Sequence, residues 1–320
     1  EAMTLTASMH GFPSAISRLS VCVTKAIAWN SFLSPCLILT TRNDDITRIR
    51  QHNCDQGKLK KIKMKLSAHY IAFKSIAIKE FLRFIRIWLQ TVVPPAITVA
   101  LYFVIFGELI GSQIGDIDGF SYIDFIVPGL ILMAVISNSY ANCVSSFFSS
   151  KFHRSVEEMM ISPLPNYIIV AGFVTGGMLR GIVVGVAVTI VSMFFTRLEI
   201  HSYGVTITVF ILTSILFALA GFINAVYART FDDISIIPTF ILTPLTYLGG
   251  IFYSINMLPE FWQSVSLANP ILYMINAFRY GLLGVTDINL ATAFIIIILF
   301  ITGLFIFALQ LLNKGVGIKP

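Results

Sequence analysis

From Ile87 to the C-terminus the chain alternates between long apolar runs and short polar ones. Several of these runs reach the roughly 20 residues that a helix needs to cross a bilayer. The pattern predicts six spans, at Ile87–Leu109, Phe125–Phe148, Tyr167–Phe195, Val205–Tyr227, Ile234–Phe252 and Ile288–Leu312. Pro94-Pro95 is expected to kink the first. The third is long enough to tilt. The fifth is short and carries Pro238 and Pro244. Between the last two, Tyr253–Val285 is apolar and aromatic but broken by Pro259, Pro270, Gly281 and Gly284. Glu260–Leu267 and Ile271–Leu283 read as helices too short to cross. They predict an outer re-entrant hairpin, since broken backbone at membrane depth survives only where protein or a wet cavity shelters it. A loop skimming the head groups is the other reading.

Ahead of the spans, residues 66–86 read as an amphipathic helix. At about 100° per residue, Lys79, Glu80, Arg83 and Arg86 gather on one side, and Tyr70, Ile71, Ala77, Ile78, Phe81 and Ile85 on the other. Lys74 falls in the apolar arc and has to snorkel. This division predicts a helix lying in the membrane interface. Residues 1–63 have no sustained periodicity and read as a poorly ordered or non-native extension, with Met64 as a candidate start. Residues 64–320 then form one six-helix transmembrane domain.

Composition agrees with the pattern. The chain is 56% hydrophobic and 12% charged, with a mean hydropathy of +0.84, whereas soluble domains carry about 25% charged residues. The period-2 alternation of a membrane β-barrel is absent, so the expected class is an all-α membrane protein. The net charge of +6 does not point to nucleic acid, because the basic residues flank apolar spans. With both termini in the cytoplasm, nearly all Lys and Arg fall inside and only Arg197 and Arg279 outside, as the positive-inside bias requires. Cys22, Cys36, Cys54 and Cys143 form no CxxC or Cys/His cluster, so no metal site or disulfide framework is indicated.

The chemistry that the spans lack narrows the function. Ionisable residues at membrane depth are costly and are therefore functional candidates. Only Arg180 lies deep, and none of the five histidines is mid-span. It either faces a translocation path and meets a substrate anion, or snorkels and bonds neighbouring carbonyls. A proton pump needs a titratable relay that the sequence does not offer. There is also no HExxH and no P-loop, since Gly57-Lys58 is followed by Leu59. An embedded lipid enzyme is poorly supported. ATP, if it drives transport, must bind another chain, and an ATP-independent carrier or channel is the alternative.

Four stretches then carry a resemblance: Ile78-Lys79-Glu80-Phe81-Leu82-Arg83, Tyr122–Leu130 with Pro128-Gly129-Leu130, Arg154–Leu164, and Pro244–Tyr253 with Gly249-Gly250, Leu258-Pro259, Asn269-Pro270 and Arg279. Together they resemble the ABC-2 type permeases, the membrane subunits of bacterial ATP-binding-cassette exporters, over about Leu66–Leu312. The first 63 residues match nothing expected in that family. The resemblance implies a homodimer in the inner membrane with two ATPase subunits beneath it, and export of an amphiphilic drug, lipid or glycan. This chain is then not an enzyme, and ATP and Mg sit on the partner. It implies ATPase coupling through Arg154, Glu157, Glu158, Met159, Ser162 and Pro163, with a second contact through Glu80 and Arg83. It places Asn138, Tyr140, Asn142, Thr243, Thr246 and Tyr247 along a substrate path, for which interhelical hydrogen bonding is the alternative role, and Arg180 joins them on the strength of its depth. Pro259, Asn269, Pro270 and Arg279 would shape the outer hairpin.

Overall fold

The computed structural model describes residues 68–111, 115, 117, 119–162, 164–196 and 200–317. The extension over residues 1–63 and the coupling candidate Pro163 lie outside the described residues. Helix α1 (68–86) bends at Ile87 into α2 (Trp88–Tyr102), which continues as a π-helical stretch, Phe103–Ile110. Then follow α3 (Tyr122–Phe152), the short α4 (Ser155–Ile161), α5 (Asn166–Ser192) and α6 (Tyr203–Tyr227). Next, α7 (Asp233–Ile237) runs through the π-helical Pro238–Leu242 into α8 (Thr243–Tyr247). Helices α9 (Glu260–Leu267), α10 (Pro270–Leu283) and α11 (Leu290–Lys314) complete the order. No strand occurs among the described residues, which are all-helical in class.

Among the described residues, five helices are long and apolar enough to cross a membrane: Trp88–Gly107, α3, α5, α6 and α11. The expected fifth span has become three consecutive helical pieces from Asp233 to Tyr247, too short to count with those five. Pro238 and Pro244 stand at the start of its second and third pieces, where each removes a backbone donor and forces the ladder to reset. The two short helices expected near 260 and 271 are present as α9 and α10.

Helix α3 is the axis of the bundle. Of its most apolar stretch 78% is buried, against 17% for α2 and 22% for α11, which leaves those two at the periphery with Leu89, Ile97, Ile295 and Leu299 turned outward. Ser121 caps α3 by accepting the Asp124 backbone N–H at 3.4 Å while donating its hydroxyl to the Asp124 carboxylate at 2.6 Å. Its core contacts are aromatic, with Phe147 ringed by Phe173 of α5 and Phe222 of α6 at 5.2 and 4.3 Å.

Close approach is set by α5. A Cβ on Gly172 or Gly176 would stand 2.6 Å from Ile76 or Glu80 of α1, so these two glycines seat α1. Gly177, Gly181 and Gly185 face α3 and α6 instead, where a Cβ would meet Ser139, Cys143, Ala218 or Phe210 within 3.2 Å. Small residues at such spacing let membrane helices pack backbone to backbone.

Helix α1 departs from the expected division between water and lipid. Ile71, Ile78, Phe81, Leu82 and Ile85 are exposed, whereas Glu80 is 1% exposed and packs inward with Ile76 and Phe84. On the polar side Glu80 and Arg83 meet polar groups of α3 while Lys79 and Arg86 stay exposed, and the apolar side is left outward. An amphipathic pattern fixes two faces but not which one the protein covers.

Candidate functional site

A polar stripe runs along α3 at every fourth residue: Asn138, Asn142, Ser146 and Ser150, all buried. In a helix this spacing puts them on one face, one above the other. Each meets one charged side chain. Lys79 Nζ donates to Ser150 Oγ at 3.4 Å and lies 5.8 Å from the Phe173 ring. Ser146 donates its hydroxyl to Glu80 Oε2. Arg83 donates to both the Asn142 carbonyl (3.1 Å) and Asn142 Oδ1 (2.9 Å), and its Nε sits 3.6 Å from Glu80. Arg180, from α5, reaches Asn138 Oδ1 at 3.5 Å. Three of the four ionic groups come from α1, so the seam fastens that helix to the bundle axis.

The seam ends at a cavity of about 280 Å³ between α2 and α3. Pro94, Pro95, Thr98, Val99 and Tyr102 form one wall, and Leu130, Met133, Ala134, Ser137 and Asn138 the other. Asn138 belongs to both features. Its amide donates to the Ala134 carbonyl at 2.9 Å, which leaves Oδ1 to the Arg180 guanidinium behind the wall. At the cavity edge the Tyr102 and Tyr247 hydroxyls stand 3.4 Å apart.

At the other end of α3 the chain reverses through Arg154, whose φ of 58° places a non-glycine residue in the left-handed region. The following helix, α4, buries Val156 fully and leans Met159 and Met160 against the core. Glu157 and Glu158 face out, and Ile161 is 85% exposed. Two carboxylates and one exposed apolar side chain therefore share this short helix. Ser162 closes the helix by donating its hydroxyl to the Met159 carbonyl at 2.6 Å.

The comparisons with known proteins decide the family. A model of the ABC-2 type transporter family matches residues 71–283. The chain is 54% identical over 251 residues to the inner membrane transport permease YadH of Escherichia coli strain K12, covering 78% of this chain and 98% of that protein. The chain belongs to the ABC-2 type transporter family. More distant similarity extends to nodulation protein J of Rhizobium leguminosarum bv. viciae, 22% identical over 65% of this chain and 81% of the relative, and to that of Rhizobium meliloti, 24% identical over 68% and 79%. The chain is thus an ABC-2 permease, a multi-pass inner-membrane transport subunit, and its family implies an ABC ATPase partner.

Within this ABC-2 permease the path candidates separate. Asn138, Asn142 and Arg180 share the seam. Tyr140 lies on another face of α3, buried where Gly221 of α6 comes closest to its carbonyl oxygen. Thr243 and Thr246 spend their hydroxyls on the Pro238 and Leu242 carbonyls of their own broken helix, at 2.9 and 2.6 Å. Of the three candidates on the broken helix, Tyr247 comes nearest the cavity, through Tyr102. Glu80 and Arg83, expected as partner contacts, are turned onto α3, because their charges find polar groups there.

The hairpin residues have structural positions. Pro259 precedes α9, and Pro270 opens α10, where its missing N–H costs nothing. Asn269 caps α10 through the Ile271 N–H at 3.0 Å and donates to the Leu245 carbonyl at 2.6 Å. Arg279 is 1% exposed. It donates to the Gly250 carbonyl at 2.7 Å, lies 3.8 Å from Asp287 and sits 3.8 Å over the Phe125 ring. Asp287 in turn accepts from the Ser254 hydroxyl (2.9 Å) and the Ile255 N–H (3.3 Å). Sequence reasoning missed Asp287, which stands at a span end, together with Ser146, Ser150 and Ile161. The four-residue spacing of Asn and Ser along α3 was the available signal for the seam.

Proposed function

We propose that this permease is the membrane half of an ATP-driven exporter that moves an amphiphilic drug, lipid or glycan-type substrate out of the cytoplasm. The observation that carries the reading is α4, which presents Glu157, Glu158 and Ile161 together on a short helix anchored by Val156. The charges set registry against a groove of the ATPase, and Ile161 supplies the buried anchor. ATP and Mg bind the partner, and this chain contributes no catalytic group. Arg154, Met159 and Ser162 shape that helix and its exit. Glu80 and Arg83 carry its displacement to α1 through the seam.

In this reading Asp233–Tyr247 is the fifth of six crossings, and α9–α10 is an outer hairpin that re-enters the protein. The burial of Ile271, Met274, Ile275 and Phe278 supports re-entry over a loop lying on head groups. The Lys and Arg bias puts both termini in the cytoplasm. Two copies pair along α2 and the broken helix, where Phe240 and Ile241 are exposed beside Tyr247. The path between them carries Asn138, Arg180, Thr243 and Tyr247. ATPase closure drives alternating access by moving α4.

The test is co-purification in mild detergent. A P-loop ATPase is expected near one per permease with the wild type, and is expected to be lost from a Glu157→Arg, Glu158→Arg double variant and from Ile161→Asp. Retention by all three variants would remove α4 from the contact. Absence of any ATPase from folded wild-type protein would favour an ATP-independent carrier.

A further inference from the structure

The seam is unbalanced. Lys79, Arg83 and Arg180 bring three cations to the α3 stripe, and Glu80 is the one carboxylate among the described residues that joins them. Buried charge in a low-dielectric bundle needs compensation. Lys79 is exposed, and Arg83, partly exposed, keeps two hydrogen bonds to Asn142 and has the Glu80 carboxylate 3.6 Å from its Nε. Arg180 has no carboxylate beside it among the described residues: its one contact, to Asn138, lies at the outer limit of a hydrogen bond, its Nε is buried with no hydrogen-bond partner, and it lies within electrostatic reach of Arg83, another cation. This least compensated charge stands directly behind the cavity wall, because Asn138 lines the cavity while accepting from Arg180.

The cavity supplies the rest of a ligand site. Leu130, Met133 and Val99 make its lining apolar, and among the described residues no carboxylate lines it. The exposed Ser137 offers a hydroxyl beside Asn138. At about 30 Å³ per water its volume admits a small head group or the first part of an alkyl chain.

We propose that this cavity is a substrate subsite for amphiphiles with one anionic head group, a phosphate or carboxylate that Arg180 engages by leaving Asn138 Oδ1. The proposal rests on the exporter reading for the word substrate, and names the substrate class. The alkyl part lies along Leu130, Met133 and the α2 prolines. No covalent step is involved, since the ligand replaces a neutral amide oxygen with a charged one, and the seam loses part of its excess charge.

The experiment uses the full chain purified with its ATPase subunit. Dodecyl phosphate and dodecyl phosphocholine share a tail and differ in head-group charge, and inorganic phosphate controls for a bare anion. The wild type is expected to bind dodecyl phosphate about 10- to 100-fold more tightly than the zwitterion, the span of one hydrogen bond to a charged group. It should bind inorganic phosphate far more weakly, and dodecyl phosphate should raise the ATPase rate. Arg180→Gln should bring the two alkyl affinities together, and Arg180→Lys should restore most of the preference. Ala134→Phe, which fills the cavity without touching the cation, should weaken both alkyl probes alike. Equal affinities in the wild type, a preference that survives Arg180→Gln, or inorganic phosphate matching the alkyl phosphate would overturn the site. Tight binding with no change in ATPase rate would mark a resident lipid and overturn the substrate assignment. If no ATPase subunit co-purifies, the exporter reading fails by itself, while the head-group preference measured on the permease alone still decides the site.

Discussion

Two arginines are held in this bundle in opposite ways. Arg279 has a carbonyl, a carboxylate and an aromatic face, and its carboxylate partner Asp287 is itself anchored by Ser254 and Ile255. Arg180 has one long contact to an amide. The first arrangement locks α10, the loop before α11, the Gly249-Gly250 turn and the start of α3 into one unit. The second leaves capacity unused. Satisfied buried charge makes a joint, and under-satisfied buried charge makes a place where something else can bind.

The sharpest way to break the contrast is to remove the charge from the locked side. Arg279→Leu strands Asp287, which is nearly fully buried, and breaking such a pair costs about 3–5 kcal/mol. Thermal melting followed by size-exclusion chromatography should show a large loss of folded protein. Arg279→Lys should recover little of it, since one ammonium cannot span a carbonyl, a carboxylate and a ring. If both variants melt like the wild type, the joint is not one.

Next in size is the seam. Glu80→Ala leaves Ser146 without its acceptor and Arg83 without its carboxylate, but the Arg83 side chain is 33% exposed and water screens part of the loss. A cost of about 1–3 kcal/mol is expected. The pairing predicts more than the sum of parts: a Glu80→Ala, Ser146→Ala cycle should show coupling of about 0.5–3 kcal/mol. Strictly additive effects would mean that the two side chains are only neighbours.

Much of this was legible in the sequence, and the illegible part has a physical reason. Five of the spans, α9 and α10 follow directly from apolar length and from proline and glycine placement. The fifth expected span is divided at Pro238 and Pro244 into pieces too short to count with the five, a division that depends on ladder geometry hydropathy does not encode. The orientation of α1 was not readable, because its pattern is the same whether the charges face water or a polar stripe on another helix. That stripe was visible only once its four-residue spacing was set beside α1, and the two lie some 60 to 70 positions apart in the chain. Asp287 reads in the sequence only as an acid at a span end, because its partners come from two other segments, Ser254-Ile255 and α10.

Helix spacing sharpens the contrast further. Gly176→Ala drives a Cβ to within 2.6 Å of Glu80, so α1 must lift from α5 and strain the seam. Overpacking of this kind costs about 1–3 kcal/mol. Gly303→Ala is the matched control, as nothing lies within 4 Å of its Cβ position in α11. Alanine there should be neutral or stabilising by up to about 1 kcal/mol, the helix propensity difference. The pair separates close packing from backbone freedom, and equal effects on melting would remove α5 as the spacer.

The smallest expected effect lies at the cavity edge. Tyr247→Phe deletes one hydroxyl from a 3.4 Å contact between two partly exposed tyrosines. Hydrogen bonds between membrane helices average about 0.6 kcal/mol, and this one is long, so melting should barely move. The ring stays stacked on Phe252 at 6.0 Å, so packing is kept. Binding is where a change should be read. The Tyr102 hydroxyl, freed from Tyr247, gains a donor that can turn toward an anion in the cavity it lines. Dodecyl phosphate affinity should therefore hold or rise slightly in Tyr247→Phe and fall in Tyr102→Phe, while both variants melt alike. A loss of affinity in Tyr247→Phe equal to that in Tyr102→Phe would mean that the tyrosine pair acts as a closure between helices and takes no part in binding the head group.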